Sequence, residues 1–253
     1  MKRAAISAAV LALSAILASA SGIYEESLDP VDGFGIELVE IRSGTMDVSV
    51  SPGDPAEAVL SSEAEADFPW DELSPGRLRQ EREGARLYAW IENHGPFSAP
   101  AHGRILVRVP RGASLLVRTS SGDVTVEGLE GGKVDIRTTS GSVRLHRVRA
   151  RVLVDSVSGS VDIDSADGPL SARTVSGRIE GRRLLLSDYC DLSSVSGSID
   201  IGVLSGLENI GFDLRSVSGS IRVGTIRTEH GLRMGFGRTL VKARTISGSL
   251  SFQ

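Results

Sequence analysis

A chain of 253 residues with 28 basic and 32 acidic side chains carries a formal charge of −4, and a mild acidic balance excludes the basic footprint of nucleic-acid binding. Only 4% of residues are aromatic while 29 are glycine, the profile of thin β cores and many bends. A single cysteine, Cys190, excludes an intramolecular disulfide, and its place in an apolar column predicts a buried hydrophobe.

Lys2 and Arg3 precede an apolar stretch from Ala4 to Ala18, and Ala18-Ser19-Ala20 has the small-residue pattern of a cleavage site. These features predict a secretory signal over residues 1–20, with an uncleaved anchor as the alternative. Its removal takes away Lys2 and Arg3 and leaves a net charge of −6. No cysteine follows the apolar run, so a lipoprotein signal is not expected, and no later segment is apolar enough for a membrane helix.

Residues 21–33 are polar and read as a leader. Ile36 to Ile41, Ser43-Gly44 and Met46 to Val50 form a degenerate copy of a strand–bend–strand unit. Ser51-Pro52-Gly53-Asp54-Pro55 is a turn cluster. The charged stretch Glu63 to Gly84, with Pro69 and Pro75, predicts an exposed excursion or a short helix. Two strands follow, Arg86 to Glu92 and Arg104 to Val109, separated by a loop from His94 to Pro100. Residues 21–110 thus form an N-terminal β cap with a degenerate first coil.

From residue 111 to 253 the dipeptide Ser-Gly recurs seven times, with its glycines at Gly122, Gly141, Gly159, Gly177, Gly197, Gly219 and Gly248. A period near 18–22 residues marks one supersecondary unit stacked on its own copies. Apolar residues occupy positions seven and five before each glycine and two and four after it, the period of strands burying one face. Because like columns recur at this spacing, the expected fold is all-β: a right-handed parallel β-helix, or solenoid, of 18–22-residue coils. The glycine supplies a bend where a Cβ would clash or where φ is positive. Three residues before it stands Ser or Thr in every unit, expected to point inward as a hydrogen-bonded ladder. The serine just before each glycine is read the same way. The column two before the glycine, from Ser120 to Ile246, breaks parity and marks a corner.

The wide gap between Gly219 and Gly248 predicts a loop or irregular rung over 224–240. The last coil ends at Gln253, one strand past its bend. Either the excursion covers this open edge, or the C-terminal coil supports end-to-end self-association.

The run Ile105-Leu106-Val107-Arg108-Val109-Pro110, followed by Leu115 to Val126 with Thr119-Ser120-Ser121-Gly122, resembles the bacterial DUF4097 repeat family, described as candidate adhesins. The resemblance covers residues 105–253. It implies an exported β-helix with an envelope or adhesive role, and brings no catalytic residues.

Four residues before the glycines stand Arg118, Arg137, Arg173, Arg215 and Arg244, with Asp155 and Ser193 completing the column. An outward row of guanidinium groups could bind anionic polysaccharide or lipopolysaccharide phosphates, or simply keep the sheet soluble. Asp162, Glu180 and Asp200 are expected on consecutive rungs, where carboxylates could serve a glycosidase or hold Ca²⁺, although nothing nearby walls off a cleft. The histidines His94, His102, His146 and His230 have no metal spacing, and no nucleophile, phosphate-loop or metalloprotease motif is present. Trp70, Trp90, Phe68 and Phe97 could stack on sugars, with packing of the cap the simpler reading.

These readings predict an exported, non-catalytic β-helix of the periplasm, cell surface or extracellular space, without cofactor or metal. It would act as an adhesin or binding scaffold for an envelope glycan or another surface protein. The alternatives are a self-associating filament and, less favoured, a polysaccharide-active enzyme using Asp162, Glu180 and Asp200.

Overall fold

The computed structural model describes residues 15–18, 23–53, 57–65, 77–92, 102–235 and 237–253. Apart from a single 3-10 turn at Leu207–Asn209, every regular element among them is a β-strand. The N-terminal strands are β1 Ala15–Ala18, β2 Ile23–Ser27, β3 Val31–Asp32, β4 Leu38–Ser43, β5 Asp47–Pro52, β6 Glu57–Glu65, β7 Arg77–Glu83, β8 Arg86–Glu92 and β9 His102–Val109. Next come β10 Ser114–Thr119, β11 Val124–Glu127, β12 Glu130–Thr138, β13 Val143–Ser156, β14 Val161–Thr174 and β15 Ile179–Ser194. The last are β16 Ile199–Val203, β17 Ile210–Val223, β18 Ile226–Met234, β19 Thr239–Ser247 and β20 Leu250–Phe252.

The fold is all-β, and successive units pair in parallel with like columns in register. Leu115 lies beside Val134, then Val152, Leu170 and Cys190. Beyond the bend, Val124, Val143, Val161, Ile179 and Ile199 follow one another. All of these are at most 2% exposed. Branched side chains stacked on their own equivalents fill one continuous core from Leu28 to Phe252. Cys190 is buried within it, and burial pushes its thiol pKa far up, so it behaves as a hydrophobe.

The bend explains the repeat. Thr138 Oγ1 accepts the N–H of Gly141 at 3.0 Å, and Thr119, Ser156 and Thr174 do the same for Gly122, Gly159 and Gly177. The hydroxyl then donates to the glycine carbonyl of the neighbouring rung: Thr174 to Gly159 at 3.2 Å and Ser194 to Gly177 at 3.3 Å. A buried corner is thereby satisfied along the stack. The seven glycines have ordinary φ values; close approach requires them. A Cβ on Gly159 would lie 1.9 Å from the carbonyl oxygen of Gly141.

The serine before each glycine corrects the inward reading. Ser121, Ser140, Ser158 and Ser176 are all exposed, because the chain turns through two outward positions before the glycine brings it back. A further corner follows β11 and its equivalents, where Gly128, Arg147, Ser165 and Arg183 all have positive φ. These residues stand at equivalent places on successive units.

At both ends the order in space departs from the order in sequence. Residues 36–50 stack on the first Ser-Gly unit, with Val39 beside Leu115 and Val48 beside Val124. In this register Ser43 faces Thr119 and Met46 takes the glycine's place, two residues from the alignment that Ser43-Gly44 suggests. The later strands β8 and β9 stack outside β4 and β5, so this copy is internal.

Antiparallel strands close that end: β7 on β8, and β6 on β9 with β2 beyond it. Of the exposed excursion or short helix expected over 63–84, residues 66–76 lie outside the described residues; the described flanks are strand, the end of β6 and β7 Arg77–Glu83, whose Leu78 is fully buried. The leader is likewise part of the fold, since buried Glu26 accepts the Leu78 N–H at 2.9 Å. Of the expected signal, residues 1–14, 19 and 20 lie outside the described residues, and β1 pairs antiparallel with β2.

At the other end β19 enters between β15 and β17, and β20 between β16 and β17. The C-terminal coil is paired on both sides, which corrects the expectation that it offers an edge for self-association. The 224–240 excursion forms β18, antiparallel on β17, and covers the end of the stack. The strand is mostly exposed and carries Arg227, Glu229 and Arg233, charges that disfavour further strand addition.

Candidate functional site

The five arginines predicted to share a column do share one outer face, and all are exposed. Ladder registers order the row as Trp90, Arg42, Arg118, Arg137, Asp155, Arg173, Ser193, Arg244 and Arg215. The row therefore brings Arg118 beside Arg137 and Arg244 beside Arg215, while Asp155 and Ser193 isolate Arg173. Arg42 belongs to it as well, hidden from the sequence by the two-residue misalignment of its unit.

Several of these charges are partly neutralised. Arg137 lies 3.4 Å from Asp135, Arg173 3.6 Å from Asp191 and Arg215 3.5 Å from Asp213. Arg118 and Arg244 have no ion pair among the described residues. Of these pairs only Arg173–Asp191 is exposed on both sides, and such a pair is weak enough to exchange with an incoming anion.

Two residues further along each strand, on the same outer face, runs a second column. Its members Val157, Val175, Val195, Ile246 and Val217 are 47%, 44%, 39%, 51% and 66% exposed. Backbone bonds join them rung to rung: Val175 N–H to Val157 O at 3.1 Å, Ser196 N–H to Val175 O at 2.8 Å and Ser247 N–H to Val195 O at 2.8 Å. Five rungs at the strand spacing give an apolar ridge roughly 20 Å long beside the arginine row. The sequence displayed this column only as a break in parity. Branched residues held outward over five rungs are more than scattered surface apolarity.

Asp162, Glu180 and Asp200 do fall on consecutive rungs, beside Arg144 at one end and Ser251 at the other. Glu180 is tied to Arg182 at 2.8 Å. The neighbouring Asp164 takes His146 Nδ1 at 3.0 Å and Arg183 Nη2 at 2.5 Å. The hollow at this strip measures only about 220 Å³ and mixes acids with bases. Among the described residues no cluster of three or more His, Cys, Asp or Glu is arranged to hold a metal. His94, Phe68, Trp70 and Phe97 lie outside the described residues. Trp90 is half-buried on the outer face of β8.

Ser-Gly units paired in parallel around one apolar core, with a cation row and an apolar ridge on the outer face, define an all-β protein. The chain belongs to the Toastrack DUF4097 family, whose pattern matches residues 107–240. Among solved structures it is similar to a candidate adhesin from Parabacteroides merdae, at 11% identity and a TM-score of 0.45, over 92% of this chain and 97% of that one. A candidate adhesin from Parabacteroides distasonis is similar at 13% identity and a TM-score of 0.43, over 91% and 97% of the two chains. A candidate cell adhesion protein from Clostridium sporogenes is similar at 10% identity and a TM-score of 0.37, over 90% and 97%. No curated protein matches the chain.

Proposed function

We propose that this protein is an exported, non-catalytic scaffold of the cell envelope whose lateral face binds an anionic lipid or glycolipid surface. One observation carries the reading: the arginine row and the five-rung apolar ridge lie side by side on one rigid face. Phosphate-bearing headgroups are complementary to the guanidinium groups, and the ridge enters the adjoining apolar layer. Export rests on the charged, apolar and small-residue pattern of residues 1–20. The architecture assigned with this reading is a right-handed parallel β-helix of 18–22-residue coils with an N-terminal β cap. Its support is the parallel, in-register ladders and the hand of parallel crossovers.

Co-sedimentation with vesicles tests the proposal. Binding to vesicles containing anionic lipid should exceed binding to neutral ones and weaken with salt. Replacing Arg118 and Arg244 together by Gln should remove about 2 kcal/mol, roughly thirtyfold in affinity. Val175→Ser with Val195→Ser should weaken binding without removing its salt dependence. Equal binding to neutral vesicles, or indifference to both pairs of substitutions, would sink the idea.

A further inference from the structure

Away from the arginine row's free members, the N-terminal end of the same outer face carries a cavity of about 600 Å³ over β7, β8 and β4. Its floor holds Tyr88 and Trp90, two residues apart on β8 and both facing outward. In a chain with only 2 Trp and 3 Tyr, this places two of five such rings side by side. Strand register fences each ring on both sides: Tyr88 between Glu81 and Glu40, Trp90 between Arg79 and Arg42. Both arginines are already engaged, Arg79 with Glu92 at 2.7 Å and Arg42 with Glu40 at 2.8 Å. Glu81 and Glu83 also line the cavity and have no ion pair among the described residues.

From this geometry we infer that the cavity is a saccharide-binding site for neutral or amino-bearing pyranoses. The apolar C–H face of a pyranose lies flat on an aromatic ring, and its hydroxyls are donors that free carboxylates accept. The volume is that of a small-ligand site, with an aromatic floor and a few placed polar groups. Its lining holds Glu40, Glu81 and Glu83 against Arg42, an excess of negative charge that turns away polyanions. The site thus selects against the ligands that the arginine row would attract, and it stands independently of the lipid-surface reading.

Gly44 keeps the cavity open. A Cβ there would meet nothing within 4 Å, in contrast to the glycines of the repeat, and its φ is ordinary. Gly44→Leu should therefore fill the site and leave the fold intact.

Calorimetric titration of the full chain with three probes tests the site: tetra-N-acetylchitotetraose, its deacetylated form, and a heparin-derived tetrasaccharide. At least one of the first two should bind, and the heparin fragment at least about tenfold more weakly. Trp90→Ala should weaken that binding by at least about tenfold, and Gly44→Leu should abolish it with the unfolding midpoint unchanged. Should Trp90→Ala fail to fold, Gly44→Leu and Glu81→Gln carry the test. Vesicle binding should be unaffected by Gly44→Leu, which separates this site's failure from that of the lateral face. No binding by either chitotetraose, equal or tighter binding of the heparin fragment, or wild-type affinity in Gly44→Leu would each overturn the inference.

Discussion

The hydroxyl of Thr245 donates to the carbonyl of Gly197 at 3.1 Å, across 48 residues of chain. The same bond elsewhere joins neighbouring rungs, so it identifies the coil on which the last strand rests. That coil is the one containing Gly197, although the coil preceding Thr245 in sequence contains Gly219. The carbonyl of Gly248 in turn receives the Ser216 hydroxyl at 3.2 Å. The C-terminal strand is thus a wedge between two coils formed earlier in the chain.

Removal of residues 239–253 should therefore be far more damaging than loss of an edge coil. It takes out Val241, Ala243, Leu250 and Phe252, all buried, and with Phe252 the edge-on ring contact to Phe212 at 5.4 Å. Two parallel edges, on β15 with β16 and on β17, would lose their partners together. Burial of this kind predicts a loss of more than about 4 kcal/mol. Denaturant unfolding of the truncated chain checks this. An unchanged midpoint would mean that the last strand lies at an edge.

How much of this was legible follows from what repeats. The columns around Gly122 to Gly248 revealed strand faces, parallel register and the inward hydroxyls, because each rung must satisfy the same corner. The order of the last two coils was not legible, since Gly197, Gly219 and Gly248 obey one pattern in any order. Only the spacings of 22 and 29 residues hinted at a detour. The degenerate copy was found by Ser43-Gly44, yet its true register puts Ser43 opposite Thr119, two residues from that alignment. The candidate site divided the same way. Parity showed the arginine row, whereas the exposed valines looked like a corner, because the sequence does not show which way a parity break turns.

Two glycines with the same preceding serine should respond in opposite ways to alanine. In Gly159→Ala the new methyl would lie 1.9 Å from the Gly141 carbonyl oxygen, which forces neighbouring rungs apart. A loss of more than about 4 kcal/mol is expected. In Gly44→Ala the methyl meets open space, and the change should fall within about 0.5 kcal/mol. Similar midpoints for the two variants in chemical denaturation would contradict the close-approach account.

The inward hydroxyls make a graded prediction. Thr138→Val keeps the shape but leaves the Gly141 N–H without its 3.0 Å acceptor, at a cost of about 1–3 kcal/mol. Thr138→Ser keeps the acceptor and should recover most of that loss, as Ser156 and Ser194 already fill the column elsewhere. Amide exchange at Gly141 should accelerate in the valine variant only. If serine and valine destabilise equally, the methyl group rather than the hydrogen bond sustains the corner.

Acid should loosen the strand that covers the end of the stack. Burial opposes the charge on Asp213, but Arg233, donating at 3.2 Å across β17 and β18, and Arg215 outweigh it and hold the carboxyl below its usual pKa. A folded-state value below the unfolded one, about 3.9, means that the native state binds fewer protons. The stabilisation is therefore present above the unfolded pKa and is lost as pH falls through the folded one. Asp213→Asn removes it at every pH, so the stability gap between wild type and variant should be widest above about pH 5 and shrink below about pH 4. Amide protection factors along Ile226–Met234, measured against intrinsic exchange at each pH, should fall over the same range in the wild type and stay level in the variant. A gap that does not narrow with acid would mean that the pair contributes nothing to holding β18 in place.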